Sequence, residues 1–114
     1  MARIPERLQV GPYRYSITVS TEAIDAEAVK AGAGLPGTYA GRHLPTDGKV
    51  LLAETGSPDY AAETLLHEVL HALIFASGLD LDDREEDTCS ALAPLLLDTL
   101  RRQPDLLAYL LDPE

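Results

Sequence analysis

One stretch of this chain leaves little freedom in how it can fold. Ser57-Pro58 supplies a helix N-cap followed by proline at the first helical position, where its missing N–H costs nothing, and Gly78 supplies a C-terminal stop. Between them, Tyr60 to Ser77 consists of strong helix formers with apolar side chains around most of the circumference, so the pattern predicts a largely buried helix. His67, Glu68 and His71 interrupt that apolar surface. Desolvating such a group of ionisable side chains is costly without a strong partner. Whatever packs around this helix must satisfy them.

The segments before it read as a small sheet. Tyr13 to Val19 is rich in aromatic and β-branched residues that alternate in polarity, as a strand with one buried face requires. Ser20 or Thr21 can cap a short helix over Glu22 to Lys30, and Gly32, Gly34, Pro36 and Gly37 then impose a loop. Thr38 to Arg42 and Lys49 to Ala53 flank Pro45-Thr46-Asp47-Gly48, whose Pro and Asp-Gly signals suit the turn of a hairpin.

After Gly78, Asp82 or Asp83 can cap a second helix, paired with Glu85 or Glu86 three residues on. Pro94 is expected to kink it and Pro104 to end it, after Arg101 and Arg102 have complemented its C-terminal dipole. A last helix, Asp105 to Leu111, is expected to close one side of the core. At 114 residues, with no internal repeat or linker, these elements should share one α+β domain over residues 1–114.

Composition narrows the partners. Lys and Arg total 9 against 19 Asp and Glu, a net charge of −10, so the long-range field repels nucleic-acid backbones and anionic membranes. The longest apolar run, Val69 to Ser77, is interrupted by His71 and too short to span a bilayer. A single cysteine, Cys89, and the lack of an apolar signal in Met1 to Gln9 lead to the expectation of a cytoplasmic protein. Cys89 itself reads as a small buried residue on the core face of the second helix.

His67-Glu68-Val69-Leu70-His71 is an H-E-x-x-H motif inside a helix. Side chains four apart share a helical face, so the two imidazoles can converge on one Zn2+ ion. Glu68, about a third of a turn around, falls beside the open coordination position, where it can take a proton from water and pass it to a leaving amine. A catalytic zinc calls for a third protein ligand, and no further histidine follows His71. The carboxylates of Glu85 and Glu86 fit: His71 lies about 9 Å before the first helix ends, and Glu86 about 5 Å into the returning one. The apolar face through Cys89, Leu92, Ala93, Leu96 and Leu100 leaves the two glutamates equally placed on either side. His43, in a Gly/Pro-bounded segment, is expected to be solvated, and Tyr39, Tyr60 and Tyr109 are candidates to stabilise an oxyanion that spacing does not rank.

The run TLLHEVLHAL, then Gly-Leu, an acidic helix start and SALAPLLLDTLRRQPDLLAYL resembles small phage- and prophage-type zinc metallopeptidases of the minimal gluzincin kind, over roughly residues 50 to 111. The resemblance implies an N-terminal β-meander packed on the H-E-x-x-H helix. It also implies that Glu86, three before Cys89, is the third metal ligand. The chain departs from the pattern at Thr88-Cys89, where two aliphatic residues are usual, and at Gln103-Pro104, where Asn-Pro is usual. The expected activity is hydrolysis of a peptide or protein substrate, with the substrate extended along the hairpin's edge strand. The competing expectation is a non-catalytic zinc-binding phage accessory module with the same fold.

Overall fold

A computed structural model describes residues 3–30, 32 and 39–113. The first sheet pair is a hairpin of β1 (Arg7–Val10) and β2 (Tyr13–Val19), joined at Gly11-Pro12 with Gly11 at φ 57. That positive φ suits a primed hairpin turn, and glycine adopts it without a side-chain clash. β1 was not among the expected strands: RLQV is short, mostly exposed and lies at the sheet edge, so its alternation is weak.

The helix α1 (Thr21–Lys30) follows, with Ser20 Oγ accepting from Ala23 N at 3.1 Å. It carries the chain to β3 (Gly41–Leu44) and β4 (Lys49–Leu52), an antiparallel hairpin closed by Pro45 to Gly48, with Gly48 at φ 64. The expected positions Gly34, Pro36, Gly37 and Thr38 lie outside the described residues. The strand order is β1-β2-β4-β3, and β4 pairs with β2 in parallel. The α+β class stands, but the sheet is mixed where a meander was expected. The crossover through α1 takes the chain past β2 to the far edge of the sheet, where β3 runs antiparallel to β2. The β3–β4 hairpin then reverses it so that β4 lies parallel to β2, an order that a meander's successive tight turns do not produce.

Central β4 is buried on both faces. Val50 and Leu52 join Val10, Tyr15, Ile17 and Ala72 in the main core, and alternation turns Leu51 to the other face, where α1 contributes Ile24 and Ala28.

The helix α2 (Pro58–Ser77) begins and ends where its caps indicate: Ser57 Oγ accepts from Tyr60 N at 3.1 Å, and Gly78 takes φ 76. It is less buried than its composition predicts. Only Glu68 and Ala72 are fully buried, while Leu73 and Phe75 are 48% and 46% exposed. The sheet covers one side of α2 and α3 (Glu85–Arg102) a second, which leaves the third open.

The chain enters α3 through a 3-10 turn, Asp82–Arg84, with Asp82 at φ 54 and no side-chain cap, so the expected capping box does not form. Pro94 sits within a helix that remains continuous around it. The last helix, α4 (Pro104–Leu111), has no buried residue and packs mainly on α3, so it does not close the core. Among the described residues no helix is long and apolar enough to cross a membrane.

Candidate metal centre

α2 and the first turn of α3 bring four ionisable side chains to one place. His67 and His71 lie on one face of α2, with Nε2 atoms 3.2 Å apart. Glu86 meets both: Oε1 lies 2.9 Å from His67 Nε2 and Oε2 2.9 Å from His71 Nε2. Glu85 takes the far side of the same ring, with Oε2 2.7 Å from His71 Nδ1. The two glutamates that periodicity left tied therefore occupy different positions. One donor atom each from His67, His71 and Glu86 lies within 4.8 Å of the other two.

This set fits a divalent ion of the zinc kind. Zinc bonds to imidazole nitrogen and carboxylate oxygen are about 2.0–2.2 Å long, so a tetrahedral centre places its donors about 3.3 Å apart. The two Nε2 atoms are 3.2 Å apart and Glu86 offers Oε1 to His67 and Oε2 to His71, each at 2.9 Å, so these contacts lie within a few tenths of an ångström of that edge. Glu86 is two-thirds exposed, so the donor triangle has an open side.

Glu68 faces a different environment from its neighbours. It is 4% exposed and packs beneath β3 so closely that a Cβ on Gly41 would lie 2.7 Å from its Oε2 and 2.9 Å from Thr64 Cγ2. Burial pushes the Glu68 carboxyl up to about 7; His71 and Arg42 pull against that rise and Glu86 adds to it. His71 moves above the ordinary histidine value: burial opposes its charge, but hydrogen bonds to Glu85 and Glu86 and the nearby Glu68 outweigh the burial.

A cavity of about 700 Å³ opens over these groups. Ala40 and the β3 residues Gly41 to His43 supply one wall, α2 the floor through Tyr60, Glu63, Thr64 and the motif, and α3 the opposite wall. His43 is not the solvated loop residue expected from the sequence. It lies on β3, half-buried, with Nε2 2.9 Å from Tyr15 Oη and its ring against Phe75. Burial and the neighbouring His71 lower its pKa to about 4, with Glu85 opposing. His43 stands outside the donor triangle.

Of the tyrosine candidates, Tyr39 and Tyr60 line the cavity, whereas Tyr109 is 62% exposed on α4 and does not. Cys89 is fully buried and its thiol is pushed up to about 11 by burial and the surrounding glutamates, which leaves it protonated and unreactive at neutral pH.

Two features went unread in the sequence. Gly41 is the close approach between β3 and α2, and its only signal was a glycine inside a strand pattern. Arg42 stacks on Tyr39, with its guanidinium carbon 4.5 Å from the ring centroid, at the same cavity wall. No protein-family model, curated protein or solved structure was found to match the chain.

Proposed function

We propose that the chain is a zinc-dependent peptidase of the small phage-type, minimal gluzincin kind. His67, His71 and Glu86 hold the ion and Glu68 acts as general base. The carrying observation is that the three donors converge while a buried carboxylate from the same helical turn lines the same cavity. A bound zinc ion supplies Lewis acidity there, lowering the pKa of a water molecule toward ~7 and polarising a carbonyl.

The chain's own residues do the rest. The Glu68 carboxylate takes a proton from the attacking water and delivers it to the departing amine nitrogen as the peptide C–N bond breaks. Burial raises this carboxyl to about 7 in the metal-free protein, and a cation held by the neighbouring ligands would draw it back down, which favours the ionised form that a base requires. Among the described residues no strand pairs with the outer edge of β3, which lies beside the cavity, so an extended peptide can add there by backbone hydrogen bonds.

The test compares wild type with Glu68→Gln for zinc content and for cleavage of a broad peptide library. Equal zinc with a rate at least 10²-fold lower in the variant, roughly the span of general-base catalysis, supports the reading. Cleavage that survives the substitution contradicts it. One observation favours a second reading, a non-catalytic zinc-binding accessory module: α4 leaves Leu110 and Leu111 60% and 77% exposed, as a docking surface does. Zinc binding without cleavage by either protein selects that reading.

A further inference from the structure

Glu85 and Glu86 are adjacent in sequence, yet they grip opposite nitrogens of one imidazole. We propose that Glu85 is a positioning residue for the metal centre: it holds the His71 ring through Nδ1 so that Nε2 faces the ion. The proposal rests on the metal-binding reading given above and adds a residue to it.

Neutral imidazole carries its single proton on one nitrogen and coordinates with the other, so a partner at Nδ1 selects the coordinating tautomer and the ring angle together. Glu85 Oε2, 2.7 Å from Nδ1, is such a partner, while Nε2 faces His67 at 3.2 Å and Glu86 at 2.9 Å. The arrangement follows from the helix. Successive residues are about 100° apart around the axis, so in the first turn of α3 one glutamate reaches the inner side of the ring and the next reaches the open side. Exposure agrees: the Glu85 side chain is 34% exposed and that of Glu86 66%.

Glu85 is not itself a ligand in this arrangement. Its oxygen lies against the nitrogen that points away from the donor triangle, and the converging set consists of His67, His71 and Glu86. The same contact also ties α3 to α2. A tether would set the stability of α2 against α3 and leave metal affinity alone, whereas a positioning contact changes affinity in a folded protein.

Zinc affinity separates these roles. Wild type, Glu85→Ala, Glu85→Gln and Glu86→Ala are titrated with zinc against a chromophoric chelator, with circular dichroism of each metal-free protein as the folding control. Glu85→Ala is expected to keep one equivalent of zinc with affinity reduced 10- to 100-fold, the usual cost of removing such a partner. Glu85→Gln keeps a carbonyl oxygen that can accept from Nδ1–H and is expected to fall between Glu85→Ala and wild type. Should the alanine variant fail to fold, the glutamine variant carries the test, with an expected loss of a few-fold.

Affinity unchanged within twofold in the folded Glu85 variants overturns the positioning role. A loss as complete as that of Glu86→Ala also overturns it, because Glu85 would then be a ligand. A wild type that binds no zinc removes the metal reading and this proposal with it, an outcome distinct from either of the others.

Discussion

The two packed sides of α2 are held by different physics. Toward the sheet, Leu65, Ala72 and Ala76 meet Tyr15, Val50 and Leu52 in an apolar core. Toward α3, only the small residues Cys89 and Ala93 are fully buried, and at the start of α3 the contact is made by His67, His71, Glu85 and Glu86. The sheet side therefore sets the stability of the domain. The junction with α3 depends on what neutralises its carboxylates, a proton on the imidazoles or a cation between them.

The largest effect expected on this division is at Leu52, 1% exposed at the centre of the sheet. Leu52→Ala is expected to cost about 2–5 kcal/mol in urea unfolding, through lost burial and the cavity left behind. Zinc stoichiometry per folded molecule should stay unchanged. A shift in zinc affinity in the folded variant would break the division between the two sides.

Gly41 is where the sheet meets the chemistry. A Cβ there would lie 2.7 Å from Glu68 Oε2, so Gly41→Ala must move the carboxylate or the strand, at about 1–3 kcal/mol of overpacking. Peptide cleavage should fall while zinc binding is retained. Full activity in Gly41→Ala would mean that the placement of Glu68 beneath β3 does not matter to the reaction.

His43 yields a smaller, pH-dependent effect. Its folded pKa, about 4, lies below the ordinary 6.5, so the unfolded chain takes up the proton first. The stability that neutral His43 contributes is complete above pH 6.5 and is lost as pH falls from 6.5 through 4. In metal-free protein, His43→Gln should flatten that acid limb of the unfolding free energy relative to wild type. Parallel curves would show that the ring takes up its proton without cost to the fold.

Much of this was legible because it was local. Ser57-Pro58 and Gly78 bounded α2, Ser20 capped α1, and the spacing of His67 and His71 placed both rings on one face. What escaped depends on contacts distant in sequence. The parallel pairing of β2 and β4 is set by the crossover through α1 together with the β3–β4 hairpin that follows, and no residue in either strand announces it. The burial of α2 was overestimated because an apolar helix does not reveal how much of its surface other elements cover, and Leu73 and Phe75 are left about half exposed. Asp82 and Asp83 had the right spacing for a capping box, but Asp82 adopts φ 54 and the chain enters α3 through a tight turn. The choice between Glu85 and Glu86 turned on which side of the His71 ring each carboxylate reaches, and helical periodicity alone does not contain that.

The central claim, that His67, His71 and Glu86 form a metal site, is tested most directly by equilibrium zinc titration of the metal-free protein beside His71→Ala. The expected result is one equivalent bound by wild type and an affinity at least 100-fold weaker in the variant, which has lost both a ligand nitrogen and the partner of two carboxylates. Equal affinity in the two proteins, or no stoichiometric binding by wild type, would contradict it.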